Sequence, residues 1–237
     1  MAPKTDSEFE EAKRLANLYS RDLRDAYQNP DHLKRKRLDL IIQRLKNAGY
    51  YDEVFSIGCG AAVVEIEIAR QLNKRVIGID CSDSAVELAR ELIEKAVTDG
   101  MIRRGQVEVL KDDLMKMSAS LKRTLPMPLV ICIDVIAAFS LWTKKAFLQK
   151  AWSKCVASGG DLIFTALSCL DDSLADKYAS GQIIRGELYT APLYSENIGT
   201  YIQLINSLNP RPERFRAIRL DNESLFIDLK KVSKKHR

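Results

Sequence analysis

Three groups of residues have the types and spacing to hold a polar organic ligand. Gly58-Cys59-Gly60-Ala61-Ala62 follows a short apolar run and precedes an amphipathic segment. Glycines there let the backbone turn tightly and let a ligand approach it, and the start of the following helix offers free N–H groups suited to a carboxylate. Asp80 stands twenty positions after Gly60, at the end of a second apolar run. An acid in that place can hydrogen-bond a ribose diol, and as a strand-end surface residue it is expected to contribute little to packing. Asp112-Asp113 follows a third run and can accept from an exocyclic amine such as that of adenine. A glycine pair arises by chance in many loops, and a lone strand-end acid is usually only solvated. The three features together, in order at successive strand ends, are far more specific.

Other chemistries have little to work with. His32 and His236 are the only histidines, and the five cysteines (59, 81, 132, 155, 169) contain no CxxC pair. A multi-histidine metal centre is excluded, and neither a zinc site nor a disulfide framework is expected. The cysteines read as reduced, buried small residues.

The elements that must position these groups follow from periodicity. Residues 7–28 and 32–47 read as helices separated by Asn29-Pro30-Asp31, with Leu33, Leu38, Ile41, Ile42 and Leu45 at helical spacing. Strands are expected at 54–57, 75–79, 106–110, 129–133 and 161–165, alternating with amphipathic helices. Ser82 is the expected cap of one helix; others are placed near 143–157 and 195–208. This alternation implies parallel strands joined by crossover helices, with ligands bound at the carboxyl ends of the strands. The last two strands, 215–220 and 224–229, flank Asp221-Asn222-Glu223. They read as a β-hairpin, so the final strand must run antiparallel to its neighbour.

The stretch VFSIGCGAAVVEIEIA…VIGIDCSDSAVELAREL…VEVLKDDLMKM…LVICIDVIAAF…ASGGDLIFTAL resembles the motif series of class I S-adenosylmethionine-dependent methyltransferases. The resemblance covers roughly residues 50–167, and the hairpin extends it to 229. It implies a Rossmann-like three-layer α/β sandwich with a seven-stranded, mostly parallel sheet in order 3-2-1-4-5-7-6, strand 7 antiparallel. It also implies S-adenosyl-L-methionine as cofactor. Gly58 and Gly60, with Cys59 between them, would lie against the methionine part, and Asp80 would hold the ribose. Cys81 would lie beside the adenine, Asp113 would bond its amine, and the Leu114 N–H would lie near the ring. Ile133 and Asp134 would border the methionine end and the substrate mouth, and Gly159-Gly160 would form the turn before strand 5.

Three positions depart from the family pattern. Ser56 stands where an acid is common two positions before the first glycine, which puts in doubt its water-mediated hold on the cofactor amine. Ala62 replaces a common third glycine, which is tolerated unless its φ is positive. Ala137-Ala138 occupy the place where many small-molecule methyltransferases carry two histidines. A nicotinamide-dinucleotide enzyme is the rival within the fold, but the third glycine of its GxGxxG pattern would here be Val63.

The expected organisation is one domain, 1–237. It comprises a helical cap (1–47), the cofactor core (50–167), a substrate-cap segment (168–194) and a C-terminal helix with hairpin (195–237). Tyr19, Tyr27 and Tyr189 are substrate-contact candidates, each offering ring surface and a hydroxyl; Tyr178 and Tyr194 lie in the same two regions. A sulfonium methyl is already activated, so an amine acceptor needs mainly alignment, whereas a hydroxyl needs a base. With no paired histidines after strand 4, N-methylation of a small molecule is favoured over O-methylation. Asp134 and His32 are the candidate catalytic groups. The helix with Lys34–Arg37 loosely resembles that of NodS-like N-methyltransferases.

The alternatives are a nucleic-acid (RNA) methyltransferase or a non-catalytic cofactor-binding protein. The net charge of +5, from 37 basic and 32 acidic residues, is concentrated in Lys34–Arg37 and the tail. Such runs bind nucleic acid in some proteins but are more often solvated faces. Base-amine methylases carry an Asn-Pro-Pro-Tyr-like tetrapeptide after strand 4, where this chain has Asp134-Val135-Ile136-Ala137. No apolar run reaches the roughly 18 residues that span a bilayer. The polar N-terminus has no apolar core of a secretory signal, so a cytoplasmic location and no membrane partner are expected.

Overall fold

The computed structural model describes residues 33–47, 51–167, 183–184, 190–191, 196–219 and 224–233. Strands β1 (Glu53–Ile57), β2 (Arg75–Asp80), β3 (Val107–Lys111), β4 (Met127–Cys132) and β5 (Val156–Leu167) run parallel. β6 (Arg214–Arg219) and β7 (Ser224–Lys230) form the terminal hairpin. They make one sheet in the order β3-β2-β1-β4-β5-β7-β6, with β7 antiparallel to β5. This is the expected Rossmann-like order. Ile183–Ile184 and Thr190–Ala191 pair separately as a short antiparallel ribbon.

The pleat sends alternate residues to opposite faces. Phe55, Ile57, Val130, Cys132, Leu162 and Phe164 meet the helices α4 (Ala119–Thr124), α5 (Leu141–Lys150) and α6 (Ile198–Asn206). On the other face, Val54, Leu129, Ile131 and Ile163 join α1 (Leu33–Lys46), α2 (Val63–Leu72) and α3 (Asp83–Thr98). Leu38, Ile41, Ile42 and Leu45 of α1 are buried there, as their spacing requires. Arg35, from the basic run on this helix, is ion-paired with Asp39 at 3.3 Å and Glu67 at 3.8 Å. It therefore does not belong to a fully solvated face. No helix among the described residues is long and apolar enough to cross a membrane.

Several boundaries differ from expectation for identifiable reasons. Gly159-Gly160 lie inside β5 rather than before it. Pairing jumps from Met127↔Val156 to Leu129↔Asp161, so β5 carries a bulge at this point. A Cβ on Gly160 would stand 2.7 Å from the Pro128 carbonyl oxygen, which is why the bulge needs glycine. The helix expected to reach 157 ends at Lys150 and passes through one π-helical turn, Ala151–Cys155. Ile133 falls just beyond β4. The short helix α4 was not legible in the sequence; Ser118 caps it by accepting the Leu121 N–H at 3.1 Å.

Candidate active site

The chain leaves β1 through a run of left-handed residues. Gly58, Gly60 and Ala62 have φ of 71°, 53° and 60°. The Gly58 and Cys59 N–H groups both donate to the Ile79 carbonyl of β2, at 2.8 and 3.0 Å. Gly60 N–H donates to Asp80 Oδ2 at 2.9 Å, and Ser82 N–H donates to Asp80 Oδ1 at 2.9 Å. Asp80 therefore fastens the glycine turn to the end of β2. It is 7% exposed, which corrects the expectation of a surface acid with little structural weight. Burial pushes its carboxyl up, while the Ser82, Gly60 and Cys81 amides pull it back.

Ala62 meets the condition under which it was not expected to be tolerated freely. Its left-handed φ costs an L-residue about 1–2 kcal/mol. It sits at the N-cap of α2 with no side-chain cap and is fully buried.

Behind the turn, on the α2 face of the sheet, Ser56 Oγ donates to Glu65 Oε1 at 2.5 Å. Glu65 comes from the first turn of α2 and is 2% exposed; its Oε2 has no hydrogen-bond partner. Burial pushes the Glu65 carboxyl up to about 7, against the Ser56 hydroxyl and its own backbone amide, which lower it; the charge of Asp80 raises it further. Cys59 lies against Gly78, where a Cβ would be 2.8 Å from its Sγ. Its thiol is pushed well above the usual range by burial and by the charges of Glu65 and Asp80. It is a packing group, not a nucleophile.

After β3 the two acids divide their work. Asp112 Oδ1 accepts the N–H groups of Asp113 at 2.8 Å and Ser118 at 3.2 Å, and Oδ2 accepts the Ser118 hydroxyl. Asp113 Oδ1 accepts the Met115 N–H at 2.7 Å, so its carboxylate retains lone-pair capacity. Leu114 is buried in the core on the α5 side, and Cys81 is half-buried at the end of β2.

Across the strand ends, Asp134 has φ of 58°. Its N–H donates to Thr165 Oγ1 at 2.7 Å, and the Thr165 hydroxyl donates to Asp134 Oδ1 at 3.1 Å. Ile136–Ala138 form a 3-10 turn at the position where the family often has histidines. Lys144 of α5 is fully buried, 3.3 Å from Glu196 and 5.7 Å above the Tyr201 ring; the Tyr201 hydroxyl donates to the Leu167 carbonyl. Burial lowers the lysine pKa, against the pull of Glu196.

The structure thus gathers Ser56, Gly58, Cys59, Gly60, Asp80 and Cys81 around the first two strand ends, with Asp113 and Leu114 at the third and Ile133 and Asp134 at the fourth. His32, Tyr19, Tyr27 and Tyr189 lie outside the described residues. Sequence reasoning missed Glu65, Thr165 and Lys144. Only Glu65 left a signal: an acid on the buried side of α2, nine positions after a serine that stands where an acid is common.

A seven-stranded sheet with this order and a glycine turn clamped to an acid on the next strand define a Rossmann-like ligand-binding α/β fold. Residues 54–160 match the family model described as a methyltransferase domain. Solved structures agree in fold. Magnesium protoporphyrin IX methyltransferase from Synechocystis PCC 6803, with bound SAH, is 16% identical with a TM-score of 0.60 over 84% of each chain. The plantazolicin methyltransferase BpumL, in complex with a monoazolic desmethylPZN analog and SAH, is 15% identical with a TM-score of 0.63, over 97% of this chain and all of that one. An O-methyltransferase family protein from Burkholderia thailandensis is 15% identical with a TM-score of 0.68; the match covers 99% of this chain but 65% of that longer one. No curated protein matches the chain in sequence. Residues 54–160 thus match a methyltransferase domain, and the fold of the chain is that of the solved methyltransferases.

Three measurements test this geometry. Gly58→Ala and Gly60→Ala both meet positive φ, but only the Gly58 Cβ collides, at 2.5 Å from Val135 Cγ2, while Gly60 has open space. Urea unfolding should show Gly58→Ala less stable than Gly60→Ala by about 1–3 kcal/mol, the usual cost of overpacking. Asp80→Ala should lose about 2 kcal/mol or more of stability, because it orphans two amides at about 1–3 kcal/mol each. Unchanged stability would contradict the clamp.

The third follows the Glu65 carboxyl. Its pKa is higher in the folded chain (about 7) than its ordinary 4.5, so its contribution to stability is fully present below about 4.5 and is lost as pH rises through about 7. A shift of that size corresponds to about 3 kcal/mol. Ligand-free Glu65→Gln should lack most of this component of the pH–stability curve.

Proposed function

We propose that this chain is a class I methyltransferase that uses S-adenosyl-L-methionine, acts on a small molecule and transfers the methyl group to a nitrogen. The carrying observation is Asp134, locked by Thr165 at the mouth of the fourth strand, in a chain with no histidine in the turn that follows. The fit of the cofactor supports the placement. The Gly58–Gly60 turn excludes side chains and admits an amino-acid arm. Asp80 keeps lone-pair capacity for a ribose hydroxyl, and Asp113 keeps capacity for an adenine amine. Bound there, S-adenosyl-L-methionine supplies an activated methyl on a sulfonium.

The residues of the chain then have a modest task. Asp134, held by the Thr165 hydroxyl, accepts a hydrogen bond from the acceptor N–H and turns the nitrogen lone pair toward the methyl. It would take up or pass on the proton released as the new C–N bond forms and the methyl C–S bond breaks, the electron pair leaving on sulfur as a neutral thioether. Positioning of this kind, with water kept out, is the main contribution an enzyme makes when the leaving group is already good. The solved structures resembling this one include a plantazolicin and a magnesium protoporphyrin IX methyltransferase, which supports a small-molecule acceptor. O-methylation is the second reading, because an O-methyltransferase family protein is also among them.

The test is incubation with methyl-labelled cofactor and panels of amines, phenols and carboxylic acids, followed by mass spectrometry. Label appearing on amines in a product stable to mild alkali supports the proposal; label on oxygen overturns it. With an amine acceptor, Asp134→Asn should lower kcat about 10–100-fold, the worth of a hydrogen bond to a charged group. Activity on RNA that falls steeply with salt would point instead to a polyanionic substrate.

A further inference from the structure

The carboxylates around the glycine turn are fastened by hydrogen bonds of the fold, and one of them keeps a buried oxygen with no hydrogen-bond partner among the described residues. Asp80 takes two backbone amides, Asp112 caps a turn and Asp134 is bound to Thr165. The one with the unpartnered oxygen is Glu65: it is buried, bonded to Ser56 through one oxygen, with no hydrogen-bond partner for Oε2 and no ion pair among the described residues. A buried acid left half-satisfied costs stability unless something cationic completes it. Arg35 of α1 and Arg70 of α2 do not do so, because both pair with Glu67. Ser56 meanwhile stands on β1 where an acid is common in this class, one residue before the strand gives way to the turn.

We infer that Glu65 supplies from α2 the negative charge that β1 lacks, and that it receives the ammonium of the cofactor's amino-acid arm, directly or through one water, with Ser56 orienting its carboxylate. This rests on the assignment of S-adenosyl-L-methionine as cofactor. Among the described residues, the titratable groups facing Glu65 are Asp80 at the end of β2 and Cys59 in the turn. The Cys59 thiol stays protonated and contributes no charge. With its pKa near 7, Glu65 is about half protonated at neutral pH without ligand. An ammonium favours the ionised form, so binding at lower pH expels a proton to solvent. Affinity for any ligand carrying that ammonium therefore falls as pH drops through about 7.

Two ligands separate this from other causes. S-adenosylhomocysteine carries the amino-acid arm; 5′-methylthioadenosine keeps the adenosine and sulfur but lacks the arm. Asp80, also raised by burial, faces the ribose common to both and would act on them alike. Titration calorimetry on the full chain between pH 5.5 and 8 should show S-adenosylhomocysteine weakening by roughly tenfold or more at the acid end. Proton release should appear in buffers of different ionisation enthalpy, while 5′-methylthioadenosine stays nearly flat. Glu65→Gln should weaken S-adenosylhomocysteine about 10–100-fold, abolish its pH dependence and leave 5′-methylthioadenosine unchanged. The swap Ser56→Asp with Glu65→Thr, which returns the charge to β1, should recover most of the loss.

A flat pH profile for S-adenosylhomocysteine, or an equal loss for both ligands in Glu65→Gln, would overturn the inference and leave the cofactor assignment standing. Wild-type protein that binds neither ligand would overturn both. Should Glu65→Gln fail to fold, the wild-type pH profiles and the swap variant decide the matter on their own.

Discussion

The turn that leaves β1 is held by its neighbour, and the geometry of the site depends on that. Two amides of the turn converge on the Ile79 carbonyl and a third on the Asp80 carboxylate, so the end of β2 sets where Gly58–Gly60 lie. The arrangement requires the register Ile57↔Ile79, which also places Ser56 beside Gly78. Because Gly78 has no side chain, Cys59 can fold its sulfur back onto the sheet. The strand register, the absence of a Cβ on Gly78 and the left-handed path at 58, 60 and 62 are one constraint seen from three sides. Ala62 bears its strain because the turn has no other way into α2.

The same packing creates an electrostatic asymmetry. Asp80 and Glu65 are both buried; the charge of Asp80 raises Glu65, and Cys59 responds to both. Two charges in a poorly polarisable interior repel strongly unless each is matched locally. Asp80 is matched by backbone amides and serves as an architectural anchor. Glu65 is matched only by a hydroxyl and keeps a polar oxygen in reserve. A carboxylate fastened by backbone amides and one left with an unpartnered buried oxygen therefore stand side by side.

How much of this was legible depended on whether the governing interaction was local. Alternating apolar runs, glycine turns and the Ser82 cap are properties of neighbouring residues, and from them came the parallel alternation, the antiparallel end and the clustering of Gly58, Gly60 and Asp80; the strand order came only from the family resemblance. The bulge at Gly159-Gly160 exists because β5 must pass the Pro128 carbonyl, a contact about thirty residues away in the chain. The burial of Asp80, the sign of φ at Ala62 and the pairing of Ser56 with Glu65 likewise depend on what the sheet brings together. The departures noted in the sequence at Ser56 and Ala62 marked where to look, but not how the structure compensates.

The two halves of the site are also mechanically joined. Val135, one residue beyond Asp134, packs its side chain onto the bare Cα of Gly58, so closely that a Cβ there would overlap it. On the far side, Asp134 is bonded twice to Thr165 of β5. The end of β5 is braced in turn by Tyr201 and the buried Lys144–Glu196 pair. A displacement of the glycine turn must therefore move Val135 against a strand end that is already fixed. Close-packed interiors transmit such shifts rather than absorb them. On the function proposed above, which needs donor and acceptor in line, this rigidity is the contribution the fold would make to catalysis. The contact between a glycine chosen for its missing side chain and the valine beside Asp134 sets the distance between the two halves.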